Sequence, residues 1–233
     1  MKYPIRINKY LAEKNYSTRV GADLLISKGL IKINNYTARL GDKVNQDDIV
    51  TVDKQVTEKK YSYFAYNKPT GITTNKDNAS KHILNSTKFP TKVFPVGRLD
   101  KDSHGLIIMT DDGRMTDRLL SPKYVHEKEY VVKTNLPFSD GFLEVLQDGV
   151  KIGGYKTQKC KAWRKGESKN TFHIILTEGK KRQIRRMCEA LHHKVIDLRR
   201  VRIMNIEIGK INHGEYREIK GEELKEFLHL LKK

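Results

Sequence analysis

The chain has 233 residues, with 46 Lys and Arg against 28 Asp and Glu, giving a formal net charge of +18. That length supplies one large domain, or a small one followed by a medium one, and so large a cation surplus points to a polyanionic partner, since neutralised phosphates release counterions. No stretch approaches the roughly 20 apolar residues of a membrane span, the N-terminus lacks the apolar core of a signal peptide, and two cysteines without paired spacing, Cys160 and Cys188, give no disulfide or zinc framework. A cytoplasmic protein with no membrane partner is expected, and nothing suggests an obligate dimer, so a monomer is expected too.

The first segment runs from Ile5 to about Lys54. Ile7, Tyr10 and Leu11 share one helix face. Ser17 is a suitable N-cap for a second helix carrying Val20, Leu24 and Leu25, and Gly29 supplies its left-handed stop. Ile31 and Ile33 alternate with Lys32 and Asn34, a half-buried strand that ends in the Asn34-Asn35 turn, and Ile49–Val52 reads as another short strand. Arg6, Asn8, Lys9, Ser17, Arg19, Lys28 and Lys32 are the polar-face candidates for contact with a polyanion. The polar run 53–60 suits a linker, so the expected division is residues 1–57 and 58–233.

Beyond the linker, strand-like runs fall at Tyr61–Tyr66, Leu106–Met109, Tyr130–Lys133, Thr171–Leu176 and Ile203–Ile208, with helical patterns at Lys181–His192 and Glu222–Lys232. Leu224, Phe227, Leu228 and Leu231 form the packing stripe of the last helix. Strands and helices do not alternate, which favours an α+β domain with a mixed, mainly antiparallel sheet flanked by helices.

Within this part, Gly97-Arg98-Leu99-Asp100-Lys101-Asp102-Ser103-His104-Gly105 is a polar loop feeding a strand, Leu106–Met109, apolar enough to be buried on both faces. Asp100 can therefore be held rigidly and partly desolvated, as a nucleophile must be. The same segment partly matches a calcium loop, through Asp100, Asp102, Gly105 and Asp111, but His104 and the closing Asp depart from that pattern. A magnesium-dependent nuclease using Asp100 and Asp102 is a further alternative.

In Lys181–His192, the residues Ile184, Met187, Cys188 and Leu191 define the buried face. Arg182 and Arg186 then lie opposite, suited to phosphate, while Arg185 borders the apolar stripe, where it can reach a buried carboxylate and keep it ionised. From Glu178 to Arg202 there are nine Lys and Arg against three acids, and Lys180, Lys181, Arg199, Arg200 and Arg202 join the candidates for phosphate contact. The run His126–Val132, read as a strand, sets Lys128 and Tyr130 on one side; alone, Tyr130 reads as a core residue or a catalytic one. Asn67-Lys68-Pro69-Thr70-Gly71 is a turn with a basic residue at its mouth.

Taken together, Lys68-Pro69-Thr70-Gly71, Gly97-Arg98-Leu99-Asp100 through Gly105-Leu106, Lys128-Glu129-Tyr130 and Arg182-Gln183-Ile184-Arg185-Arg186-Met187 resemble the RsuA-type pseudouridine synthases. The first segment resembles the S4 RNA-binding domain that precedes the catalytic domain in that family, with Thr18 where the family has a second basic residue. Asp100-Lys101-Asp102-Ser103 and Arg200–Asn205 look most like the RluF subgroup, which modifies large-subunit (23S) ribosomal RNA. The resemblance implies isomerisation of uridine to pseudouridine without cofactor or metal, in a stem-loop or bulge of ribosomal RNA whose target base leaves its stack, with tRNA as a secondary substrate. It implies Asp100 as nucleophile or direct promoter of glycosidic cleavage, Arg185 as its ion-pair partner, Tyr130 stacked on the flipped uracil and accepting a proton near the sugar, Arg98 filling the vacated stack or gripping the adjacent phosphate, and Lys68 and Lys128 at the pocket rim. A catalytically inactive, S4-containing ribosomal-RNA-binding or assembly protein is the alternative.

Overall fold

The computed structural model describes residues 2–14, 16–56, 60–74, 82–121 and 124–231. The chain divides into two compact units, Met1–Ser62 with Asp112–Met115, and Tyr63–Asp111 with Thr116–Lys233. Part of the expected linker, 57–59, lies outside the described residues.

The first unit contains β1 (Ile5–Arg6), α1 (Ile7–Glu13), α2 (Arg19–Ser27), β2 (Ile31–Ile33), β3 (Tyr36–Thr37), β4 (Lys43–Val44) and β5 (Val50–Val52). Strands β3-β2-β5 form one antiparallel sheet, and β1 pairs with β4. Ile7 and Leu11 of α1 enter a core with Ala22, Ile26, Ile31 and Ile33. Asn34 and Asn35 both have positive φ, 46° and 72°, as the mirror-image turns that join hairpin strands require, and Gly29 ends α2 at φ +72°. The second helix differs from its expected pattern. Its N-cap is Thr18, whose Oγ1 accepts from the Gly21 N–H at 3.0 Å. With the helix placed in this register, Ala22 and Ile26 face the core, whereas Val20 and Leu24 are 75% and 62% exposed.

The second unit contains β6 (Tyr63–Lys68), α3 (Ile83–Ser86), β7 (Phe94–Val96), β8 (His104–Thr110), β9 (Lys128–Thr134), α4 (Asp140–Asp148), β10 (Lys151–Ile152), β11 (Tyr155–Lys156), β12 (Lys161–Arg164), β13 (Thr171–Leu176), α5 (Gln183–Ala190), β14 (Val195–Ile203), β15 (Ile206–Glu207), β16 (Tyr216–Glu218) and α6 (Gly221–Leu230). A short helix, Arg114–Leu120, straddles the division. The main sheet runs β12-β13-β9-β14-β8-β6-β16, with β15 on β14 and β7 on β8. Every pairing in it is antiparallel except β14 with β8. It is the mixed, mainly antiparallel sheet expected of an α+β fold. No helix among the described residues is long and apolar enough to cross a membrane.

The apolar Leu106–Met109 run forms the centre of β8, which is buried along its whole length. The expected strand at Ile203–Ile208 is instead a hairpin: β14 ends at Ile203, Met204 turns at φ +53°, and β15 starts at Ile206. Two apolar clusters pack on one face of the sheet. The first holds Phe64, Tyr66, Ile107 and Met109, the second Val132, Phe172, Ile174 and Leu198, and Tyr130 packs against both. Side chains alternate along each strand, so Lys68, Gly105, Arg200 and Tyr130 share that face. They also share a row, because Lys68 pairs with Gly105, Gly105 with Arg200, and Arg200 with Tyr130.

Candidate active site

Asp100 lies in the loop between β7 and β8, five residues before Gly105. Its backbone carbonyl accepts from Ser103 N–H at 3.1 Å, closing a tight turn. The adjoining Lys68–Thr74 turn is fastened to this loop: Gly71 N–H donates to the Lys101 carbonyl at 2.7 Å, and Thr74 Oγ1 donates to the Leu99 carbonyl at 3.2 Å. Gly71, Asp100, Lys101, Asp102, Lys181 and Arg182 line an open cleft. The Asp100 side chain is 33% exposed there, so it is accessible without being fully hydrated.

The arginines of α5 reach this loop across 80 residues of sequence. Arg182 is the N-cap of α5, in left-handed backbone at φ 52°. It donates to both carboxylate oxygens of Asp102 at 3.0 Å, and its Nη1 stands 3.8 Å from Asp100 Oδ2. Arg185 Nη2 donates to the Asp102 carbonyl at 3.0 Å and to Ser103 Oγ at 3.2 Å, and lies 3.3 Å from Asp102 Oδ2. Its Nη1 donates to the Val195 carbonyl at 3.0 Å. Burial pushes the Asp102 carboxyl upward, but the Arg182 hydrogen bond and the charges of Arg185 and Arg182 outweigh it and hold the group below the ordinary carboxylate value. Asp102 is thus ionised and held by two guanidinium groups, which takes up the oxygens that a calcium or magnesium ion would need. Residues 104–110, moreover, run as a strand and not as a calcium loop.

Beneath the loop sit a buried lysine, Lys68, and a half-buried one, Lys128. Lys68 is 0% exposed, and its Nζ donates to the carbonyls of Pro69 and Ile72, each at 2.9 Å. Burial brings its pKa down to about 8, with the charge of Arg200 acting in the same direction and those of Asp100 and Asp102 opposing. Lys128 Nζ donates to the His126 carbonyl at 3.1 Å, and burial, helped by Arg200, lowers its pKa to about 8 as well. Tyr130 stands half-buried between the two apolar clusters, in register with Arg200.

Comparison with known proteins fits this arrangement. The family model for RNA pseudouridylate synthase matches residues 62–190, which takes in the Asp100 loop, β9 and α5. The dual-specificity RNA pseudouridine synthase RluF of Escherichia coli strain K12 is 38% identical over 232 residues, covering 97% of this chain and 79% of that protein. The chain belongs to the RNA pseudouridylate synthase family. Within it, the chain is of the RsuA/RluF type and is an RNA pseudouridine synthase. Ribosomal large subunit pseudouridine synthase B of Bacillus subtilis strain 168 is 33% identical over 229 residues, covering 94% of each chain. A crystal structure of a pseudouridylate synthase superposes with a TM-score of 0.68 at 28% identity, over 97% of this chain and 99% of that one.

Several residues stand elsewhere than this pseudouridine synthase sequence suggests. The expected Arg185–Asp100 pair is absent among the described residues: Arg185 reaches a carboxylate, but that of Asp102, and the cation nearest Asp100 is Arg182. The α5 wheel set Arg182 on a distal face, whereas the helix begins at Gln183, so Arg182 is a cap that the chain turns into the cleft. Arg186 is half-buried over the β10–β11 turn, where a side chain at Gly153 would collide with its guanidinium. Arg200 is not a surface residue. Arg202 is committed to Glu129 and Glu127, at 2.9 and 3.1 Å. Asn8 gives its amide to Asp23 at 2.9 Å, joining α1 to α2. Lys68 lies beneath the cleft and not at its rim. Arg98, Lys180 and Lys181 are exposed, as are Arg6, Lys9, Arg19, Lys28 and Lys32, while Ser17 and Arg199 are half-buried. The residue that sequence reasoning passed over is Asp102, weighed only as a metal ligand. Its signal was the basic helix that had to meet some carboxylate, and nothing local chose between Asp100 and Asp102.

Proposed function

We propose that this protein isomerises a specific uridine to pseudouridine in large-subunit ribosomal RNA, with Asp100 as the residue that promotes glycosidic cleavage. The observation that carries this reading is the pairing of one accessible carboxylate with a second, Asp102, that draws Arg182 and Arg185 to the same cleft. The arrangement sets the Arg182 guanidinium 3.8 Å from the Asp100 carboxylate in a partly desolvated place, a preorganised electrostatic surrounding for the reaction. In the reaction the N1–C1′ bond of the uridine breaks, the detached base turns, and C5 joins C1′. The C5 proton is lost and N1 ends protonated, so atoms balance without any oxidant.

The target base leaves its stack to reach Asp100, at a cost of a few kcal/mol that a loop or bulge lowers. Tyr130, held by apolar packing on both sides, offers its ring to the flipped uracil. Arg98, exposed two residues before Asp100, fills the vacated stack or grips the adjacent phosphate. Lys101, Lys181 and the exposed bases of the first unit meet the phosphates. We read that first unit as an S4-type RNA-binding domain, from its helix–turn–helix–strand order and the exposed Arg6, Lys9, Arg19, Lys28 and Lys32.

The test is to incubate transcribed large-subunit ribosomal RNA fragments with the purified protein in EDTA and to map both pseudouridine and strand breaks. One new pseudouridine with intact strands is expected. RNA that is bound tightly but unmodified across the whole transcript would overturn the enzymatic reading in favour of a binding protein, and metal-restored scission would overturn it in favour of a nuclease.

A further inference from the structure

Arg200 reads as a phosphate contact in sequence and is nothing of the kind in the fold. It is 4% exposed and points into the same sheet face as Lys68 and Tyr130. Its Nε donates to the Leu106 carbonyl at 2.7 Å, and its Nη1 approaches the Arg98 carbonyl at 3.5 Å. One side chain thereby reaches both ends of the segment that carries Asp100. The backbone does the same work: Gly105 sits at φ +106°, and a Cβ there would fall 2.2 Å from the Arg200 carbonyl oxygen and 2.8 Å from its amide nitrogen. No other residue fits that approach, so β8 begins seated directly on Arg200.

Two further features separate this residue from an ordinary structural arginine. Nη2 is buried and has no hydrogen-bond partner among the described residues, and an unmade charged hydrogen bond is costly. Lys68 and Lys128 both feel the Arg200 charge, so three cations share the floor beneath the loop, and the acids acting on Lys68 are Asp100 and Asp102. A clamp alone would be served by a neutral donor without this repulsion. The arrangement makes sense where negative charge has to be held above it.

We infer that Arg200 is a positioning residue of the isomerisation: it fixes the Asp100 segment at both ends and supplies the cationic floor over which the carboxylate and the detached uracil stand. It acts through the loop and through its field, not by contact with RNA phosphates. The inference rests on the activity proposed above.

The experiment compares full-length wild type with Arg200→Lys and Arg200→Gln. It measures RNA Kd, the salt dependence of Kd, the single-turnover rate, and the pH profile of that rate. Arg200→Lys keeps the charge but cannot span two carbonyls, and a fall of about 10- to 100-fold in rate is expected. Arg200→Gln loses both and falls further, with its alkaline limb displaced to higher pH because Lys68 and Lys128 no longer feel the added charge. Kd and its salt slope stay at the wild-type values in both. A weaker Kd with the log–log salt slope reduced by about 0.7 to 0.9 would make Arg200 a phosphate contact. A folded Arg200→Lys protein reacting within about threefold of wild type would also overturn the inference. Wild type without any pseudouridine would instead sink the activity on which the inference rests.

Discussion

Two arginine-rich segments, Arg182-Gln183-Ile184-Arg185-Arg186 and Arg199-Arg200-Val201-Arg202, look interchangeable as strings and are used in opposite ways. In the first, the chain turns into a helix at Arg182, and Arg182 and Arg185 converge on Asp102 beside an open cleft. In the second, Arg200 occupies the buried face, and the irregularity in β14 between Arg200 and Arg202 turns Arg202 to the other, where Glu129 and Glu127 neutralise it. A basic run thus says that counter-charges will be met, but the secondary structure decides whether they belong to RNA or to the protein itself. Here the helix arms the cleft, and the strand builds the floor under it.

That contrast can be broken at its tightest point first. Gly105→Ala places a methyl group against the Arg200 backbone in a left-handed conformation, and a loss of about 3–5 kcal/mol in stability is expected by urea unfolding. A loss below about 1 kcal/mol would show that β8 is not seated on β14 as described.

Asp102→Asn removes the anion that gathers the helix arginines while leaving the turn. The single-turnover rate should fall about 10- to 100-fold with stability little changed, the strongest case for treating the cleft arginines as one group with Asp102. An unchanged rate would mean that Asp100 is served by Arg182 alone.

The floor can be titrated. Lys68 and Lys128 have pKa values lowered to about 8, so both are charged below that pH and lose their protons as pH rises through it. Cationic support of the cleft then fades, and the rate should decline from about pH 8 upward; a flat profile to pH 9 would separate these lysines from the chemistry. Stability takes the reverse sign. Burying the two charged lysines is unfavourable, and that cost is relieved as pH rises from the folded value of about 8 toward the ordinary 10.5.

The smallest effect is expected at the rim. Lys181→Gln should weaken RNA binding less than about tenfold and reduce the salt slope by about 0.7 to 0.9, leaving the rate on saturating RNA unchanged.

How much of this was readable beforehand varied with the local physics. The buried stripe of α5 followed from period alone, and Ile184, Met187 and Cys188 are all buried. The apolar centre of β8 and the bounds of β13 were equally open, since in both the apolar pattern agrees with the fold. The strand β14 was hidden, because an arginine holds one of its buried positions and irregularities at Val195/Asp197 and Arg200/Arg202 disturb its alternation. On α2, the larger apolar residues Val20 and Leu24 looked like the core stripe, whereas the small Ala22 with Ile26 occupies it. Asp100 was legible as a rigid acid ahead of a core strand. The preference of Arg182 and Arg185 for Asp102 was not, since it depends on a loop and a helix start 80 residues apart in sequence meeting in the fold.

The most direct test of the account is release of tritium from RNA labelled at uridine C5, which accompanies formation of the C5–C1′ bond. Wild type in EDTA should release one equivalent per modified site, and Asp100→Asn, folded and binding RNA with unchanged Kd, should release it at least about 10³-fold more slowly. Release by Asp100→Asn at near the wild-type rate would contradict the placement of the chemistry at Asp100.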